Sequence, residues 1–396
     1  MQLHINASDW LVNSGDAAEY DPFRPERVAE INDRLRGFEY HETPLYRLPE
    51  LARSLGIAEL YIKDEGQRSS LKSFKTLGGA HAVIRQVLTV AEQALGRAVM
   101  PAEVDSAEVR DVAGRMTITC ATDGNHGRAV AAAAARLGCR AVIYIHKGVS
   151  ERRAAAIREQ GAEVVRVDGS YDDSVAFTIR TAAENGWHVV SDTSWPGYET
   201  IPTWVMQGYL PMADELARQI AAEGQRPSHI FLQAGVGGFA AAVAAHLRAR
   251  LGEHAPQVIV VEPDKAACVF FSSISNRSVR VAEEAPTIMG MLECYEPSLI
   301  AWNILERSAA AFLTVADNDG LRAMARLATP FGDDPAVRGG ESGAAGLAGL
   351  QVCIASARAR ELLKLDRHAV VLLINTEGAT DETLYAGLLD QGRALL

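Results

Sequence analysis

The sequence has five cysteines and no Cys-x-x-Cys pair among them, which argues against a zinc site or a disulfide framework. It has no run of about 18 apolar residues, so no membrane span is expected. The N-terminal stretch "MQLHINASDWLVNSGDAAEY" lacks a basic start followed by a long apolar core, so no secretion signal is read there and the cytoplasm is the expected location. No basic block balances the net charge of −11, which argues against a nucleic-acid binder. Aromatics make up only 6% of the chain, and no long low-complexity run occurs. What remains is a globular composition, 48% hydrophobic over 396 residues, long enough for two or more packed domains.

Short β-branched runs alternate with longer alanine-rich segments. "MTITCA" precedes "HGRAVAAAAARLG", "RAVIYIH" precedes "SERRAAAIREQ", and "EVVRV" precedes "DDSVAFTIRTAAEN", after which comes "WHVVSD". Later "HIFLQAG" precedes "GGFAAAVAAHLRARLG", "QVIVVEP" follows, and "HAVVLLI" lies near the end. Such alternation predicts an α/β protein with parallel sheets and helical crossovers. The acidic half of "VLTVAEQALGRAVMPAEVDSAEVRDVAGR" reads as a solvated connector, and "TSWPGYETIPTW" reads as a second break. The expected organisation is a small α/β domain over residues 86–205, inserted into a discontinuous larger domain made of 1–85 and 206–396.

"QAGVGGFAAAV" places Gly235, Gly237 and Gly238 between a strand and an alanine-rich helix. Free backbone N–H groups and the helix dipole at such a place suit an anion. The loop lacks the Lys-Ser/Thr of a P-loop and the spacing of a dinucleotide fingerprint, so a phosphate site and a tight helix–sheet contact both stand at this point.

The stretch "SSLKSFKTLGGAHAV" holds two lysines. Ser73 is the expected helix N-cap, which places Lys75 in the first turn, where the positive dipole end disfavours its ammonium. A lysine with a lowered pKa is the better nucleophile toward a carbonyl. Lys72 falls before the cap and is expected to be solvated.

Together, Ser73-Phe74-Lys75, "ATDGNHGRAVAAAAARLG", "QAGVGG" and "VVEP" resemble the fold type II (tryptophan synthase β-like) family of pyridoxal-phosphate enzymes. The resemblance implies two parallel-sheet domains with flanking helices, pyridoxal 5'-phosphate as cofactor and a homodimer. By residue match, Lys75 is the lysine joined to the cofactor and Phe74 lies beside it. Asn125 lies next to the ring oxygen, and Gly235, Val236, Gly237, Gly238 and Phe239 form the phosphate loop. Thr376, in "INTEG", matches the group near the ring nitrogen.

Where dehydratases of the family carry serine or threonine before the Gly-Asn turn, this chain carries Asp123; a second carboxylate, Asp192, follows the run "WHVV". With "TIMGMLECYEPS", "RGGESGAAGLAGL" and "INTEGATD", these resemble the diaminopropionate ammonia-lyases, which convert 2,3-diaminopropionate to pyruvate and ammonia. Loss of ammonia from the β-carbon requires the leaving nitrogen to stay protonated, and carboxylates can hold an ammonium. The resemblance implies that Lys75 takes the α-proton of the L-isomer, Asp123 that of the D-isomer, and that Asp192 positions or protonates the departing amine. His126 is expected to fix the turn rather than act as base.

Glu341 and Ser342 are expected to open a helix, serving either the pocket or a cap. Cys268 and Cys294 are read as two free thiols, with a pairing left open. Tyr295 and Glu293 stand where small residues are usual, and Lys72 where asparagine is common. Two other functions stay open, a serine, threonine or hydroxyaspartate dehydratase on the same cofactor and a non-catalytic cofactor-binding protein. No metal is expected, and the partner is a small amino-acid substrate.

Overall fold

The computed structural model describes residues 1–6, 18–38 and 40–396; residues 7–17 of the stretch read above for a signal lie outside the described residues. Among the described residues the strands, in chain order, are β1 (Leu3–Ile5), β2 (Leu45–Arg47), β3 (Glu59–Asp64), β4 (Thr117–Ala121), β5 (Arg140–His146) and β6 (Glu163–Val167). They continue with β7 (His188–Val189), β8 (His229–Gln233), β9 (Gln257–Pro263), β10 (Ala309–Val315) and β11 (Val370–Asn375). The chain divides into two compact units, one of Met1–Glu26, His41–Phe74 and Met212–Leu396, the other of Arg27–Tyr40 and Lys75–Pro211.

The first unit holds a seven-stranded sheet in the order β1-β10-β9-β8-β11-β3-β2. Its five inner strands run parallel, and β1 and β2 close the two edges antiparallel. Every residue of β8 is buried, as a parallel strand covered by helices requires. The helix Ala345–Ala355 packs closely on this sheet because Gly349 has no side chain; a Cβ there would lie 2.7 Å from Val261 Cγ2. Phe231, Ile259, Val261, Leu313, Leu347 and Leu373 belong to the resulting core.

β3 looks polar in sequence, yet it is buried because its charges are matched. Lys63 Nζ lies 2.8 Å from Glu215, and Arg68 reaches Glu65 at 2.8 Å and Glu215 at 2.7 Å. The two cations and two anions balance, so this buried cluster carries no net charge.

The second unit carries a parallel sheet in the order β6-β5-β4-β7. The expected domain boundary near 86 falls inside the helix Lys75–Leu95, which lies wholly in this unit. Its glycines explain the attachment. A Cβ on Gly79 would stand 2.8 Å from Ala129 Cβ, and one on Gly208 would stand 2.6 Å from Gly78 Cα. The helix therefore lies backbone-close to the helices Asn125–Leu137 and Thr200–Gln207 and cannot be split between units.

The acidic segment read as a solvated connector folds instead. Ser106 caps the helix Ala107–Ala113, its hydroxyl accepting from Val109 N at 3.3 Å, and Val109, Val112 and Ala113 are buried. The acidic residues form only the outer face of that helix.

Candidate active site

In the second unit, Lys75 is the first residue of its helix, one position later than a Ser73 cap would put it. Ser73 instead forms an isolated β-bridge with Glu377. Lys75 keeps its place in the first turn, and its ammonium is ion-paired with the Asp192 carboxylate. Asp192 stands two residues beyond Val190, whose N–H extends the sheet by donating to Thr119 O at 2.8 Å. Burial works against the Asp192 charge, but His126 and Lys75 outweigh it and hold the carboxyl down at about 2.

His126 Nε2 lies 2.8 Å from the Val190 carbonyl, so the ring proton sits there, while Nδ1 is 3.9 Å from Asp192 Oδ2. Burial pushes the imidazole down, and the charge of Asp192 acts the other way. The ring ties the Asn125 turn to the strand that carries Asp192. That is the expected turn-fixing part.

Thr122 holds the "TDGNHG" turn, its hydroxyl accepting from Gly124 N and Gly127 N, each at 3.0 Å. Gly124 adopts φ +155° with ψ −78°, a conformation closed to other residues. A Cβ on Gly127 would stand 2.3 Å from Thr122 Cγ2. The turn leaves Asn125 as the buried first residue of its helix. It also places Asp123 with Oδ1 3.0 Å from His146 Nε2.

Tyr209 was not singled out in the sequence. Its ring lies over Gly78, where a Cβ would come within 2.4 Å of Cε1, and burial takes its hydroxyl up to about 12 even though the Lys75 charge acts the other way. Tyr209 is thus a neutral phenol beside the lysine. The "MQGY" stretch, with glycine before tyrosine, was the available signal.

In the first unit, β8 ends at Gln233 and the chain passes through Gly235, Val236 and Gly237 into the helix Gly238–Leu251. Gly237 has φ +93° and supplies no side-chain cap, so the first N–H groups of a long, buried helix are left for an outside acceptor. Behind the loop, a Cβ on Gly235 would stand 3.0 Å from Cys294 Sγ, and one on Gly237 would stand 3.2 Å from both Ala301 Cβ and Leu305 Cδ1. This donor set fits a phosphate. Cys268 also borders Gly235, its Sγ 3.6 Å from the carbonyl oxygen, and both cysteines are buried and not joined in a disulfide.

Phe74, Phe239 and Thr376 are brought together in this unit. The two rings lie 4.7 Å apart between centroids, and Phe74 N donates to Thr376 O at 3.2 Å. The Thr376 hydroxyl accepts from Gln233 Nε2 at 3.0 Å, and the same nitrogen donates to Ile374 O at 3.0 Å. Gln233 orients Thr376 and is the second residue the sequence reading missed; a polar residue closing an otherwise apolar strand was its signal.

Several expectations are changed by the structure. Neither Glu341 nor Ser342 caps a helix, since the helix begins at Ala345 after an Ala344 without a side-chain cap; Ser342 Oγ accepts instead from Met291 N at 3.2 Å. Lys72 is ion-paired, its Nζ 3.0 Å from Glu382, and it has φ +54°. That left-handed conformation is one asparagine tolerates well. Tyr295 donates to Glu293 at 3.0 Å, and Glu293 accepts from Thr287 N at 3.1 Å, so the two bulky residues brace a loop.

An ion-paired lysine in a helix first turn, a glycine loop whose N–H groups fit a phosphate and a threonine after a central strand define a class. The profile of the pyridoxal-phosphate dependent enzymes matches residues 38–377, and the chain belongs to that family, with pyridoxal 5'-phosphate as its cofactor. Within it, the chain is similar to diaminopropionate ammonia-lyase of Escherichia coli (strain K12), 40% identical over 400 residues, covering 99% of this chain and 98% of that protein. The crystal structure of the holo diaminopropionate ammonia lyase from Escherichia coli matches with a TM-score of 0.88 and 35% identity, over 99% of this chain and 97% of that one. The structure of the enzyme from Escherichia coli in complex with D-serine matches with a TM-score of 0.88 and 36% identity, over 100% and 98%. The tryptophan synthase β-like fold expected from the motifs is the fold observed.

Proposed function

We propose that this chain catalyses the elimination of 2,3-diaminopropionate, in its L and D forms, to pyruvate and two molecules of ammonia with uptake of one water. The observation that carries the reading is Asp192. It is a largely buried carboxylate, kept anionic, that already binds a primary ammonium, the one on Lys75. A substrate with a side-chain ammonium offers the same partner, whereas a hydroxyl-bearing substrate does not. The likeness to the Escherichia coli ammonia-lyase over nearly the whole chain supports the same reading.

The bound cofactor supplies an electron sink for the pair left on the α-carbon. Lys75 holds the cofactor and, once released as an amine, removes the α-proton of the L-isomer. Asp123 removes the α-proton of the D-isomer. Asp192, too weak a base to carry a proton near neutrality, holds the leaving ammonium in its protonated form and so positions the departing group. In this reading the N–H groups of Gly235 through Phe239 bind the cofactor phosphate, Asn125 and Phe74 flank the ring, and Thr376 meets the ring nitrogen with a neutral hydroxyl. The reading includes a cytoplasmic location and a homodimer, the latter tested by light scattering on the purified protein.

The deciding experiment follows pyruvate and ammonia from the purified enzyme given L- and D-2,3-diaminopropionate, with L-serine, D-serine and L-threonine in parallel. Two ammonia per pyruvate, formed from diaminopropionate much faster than from serine, is the expected result. Faster turnover of a hydroxy amino acid would make the protein a dehydratase, and no turnover with cofactor bound would make it a binding protein.

A further inference from the structure

His146 is the last residue of β5 and has no part in the mechanism above. Its Nε2 lies 3.0 Å from Asp123 Oδ1, a buried oxygen that has no hydrogen-bond partner, so the two groups are close but not yet aligned for a hydrogen bond. The other ring nitrogen accepts the backbone N–H of Gly148 at 3.1 Å. A peptide N–H does not give up its proton, so Nδ1 must present its lone pair. The single ring hydrogen is then on Nε2, the ring nitrogen nearer Asp123.

The turn is built to hold the ring in this state. A Cβ on Gly148 would stand 2.7 Å from His146 Cε1 and 3.0 Å from Nδ1, so the ring rests on a position that only glycine leaves open. The backbone is fixed as well, with Val149 N donating to His146 O at 3.2 Å and Arg166 donating to the same oxygen at 3.2 Å. Arg166 also reaches Val149 O at 2.7 Å. A rigid turn therefore carries a neutral imidazole whose Nε2 stands beside an unpartnered buried carboxylate oxygen, where a small rotation of the Asp123 side chain aligns it with the N–H, the relation an orienting partner has to a catalytic base.

We propose that His146 is a positioning residue for Asp123: it engages one carboxylate oxygen, fixes the rotamer, and leaves the other oxygen to meet the substrate. This rests on the reading of Asp123 as the group that takes the α-proton of the D-isomer. His146 makes no contact of its own with the reaction. Its effect falls on the isomer that uses Asp123, so it sets the ratio of D to L turnover.

The test measures kcat and KM for both isomers of diaminopropionate in the holoenzymes of wild type, His146→Ala, His146→Gln, Gly148→Ala and Asp123→Asn; if serine proves the better substrate, its two isomers are used. His146→Ala is expected to lower the D-to-L ratio of kcat about 10–100-fold, the scale of a misplaced reacting group. His146→Gln restores most of the ratio, because its amide N–H can replace Nε2–H. Gly148→Ala, which keeps the imidazole but displaces it, lowers the ratio too. Nitrogen-15 spectra of histidine-labelled protein should show the Nε2–H form, with a signal that moves in Asp123→Asn.

An equal loss for both isomers in His146→Ala, or a ring protonated at Nδ1 in wild type, overturns the assignment to His146 while leaving Asp123 in its role. An Asp123→Asn enzyme whose D-to-L ratio is unchanged overturns both.

Discussion

The ammonium of Lys75 is ion-paired with the carboxylate of Asp192, two side chains that are 21% and 13% exposed. His126 and the Lys75 pairing together make Asp192 a titratable contributor to stability in the cofactor-free protein. Its folded value of about 2 lies below the 3.8 of an unperturbed aspartate, so the stabilisation is complete above about pH 4 and is lost as pH falls through about 2. The shift corresponds to about 2 kcal/mol. Urea midpoints should show Asp192→Asn less stable than wild type near pH 7, with the gap closing toward pH 2; a gap independent of pH would refute the ion-pair account. Pyruvate formation by the same variant should fall about 100-fold or more.

Lys75→Ala should lose both turnover and the visible absorption band of the bound cofactor. Lys72→Ala should keep both, since Lys72 is a half-exposed partner of Glu382 and its ion pair stabilises by less than about 1 kcal/mol. Spectra of the two purified variants decide between the lysines, and loss of the band in the Lys72 variant alone would reverse the assignment.

Gly237→Ala should weaken cofactor binding with little effect on secondary structure. At φ +93° an alanine costs about 1–2 kcal/mol, and its Cβ would press on Ala301 and Leu305, moving the loop whose N–H groups are assigned to the phosphate. Titration of the cofactor-free variant with pyridoxal phosphate measures this, and an unchanged dissociation constant would remove the loop from the cofactor site.

Gly78→Ala probes the seat of Tyr209 and Lys75. The added methyl would meet Tyr209 Cε1 at 2.4 Å and Val205 O at 2.7 Å, and the backbone oxygen cannot yield as a flexible side chain would. A loss of about 1–3 kcal/mol is expected from overpacking. Thermal unfolding reads it, and a variant as stable as wild type would show that the two helices are not locked at this crossing.

Strands that are β-branched and apolar were legible, as in β5, β6, β8 and β11. β10 was not, because "AAAFLTV" has the composition of a helix; it is a strand because it is buried along its whole length between β1 and β9. β3 was missed for the opposite reason, since Lys63 and Asp64 break its apolar run and are buried only because Glu215 and Asn375 meet them. Local propensity gives way at both places to partners supplied from far along the chain.

The sequence by itself determined the chemistry available to this protein: a lysine after Ser-Phe, a glycine loop at a strand-to-helix turn, and two aspartates after apolar runs. Those signals are local, because a turn or a helix start imposes its residue types on a few neighbouring positions. Only the tertiary structure decided which groups meet. Asp192 reaches Lys75 across 117 residues of chain, and Thr376 meets Gln233 across 143. His146 stands against Asp123 because adjacent parallel strands β4 and β5 end side by side. Such contacts depend on strand order and on the close packing that Gly78, Gly127 and Gly148 permit, and those follow from packing the whole chain rather than from any one stretch of it.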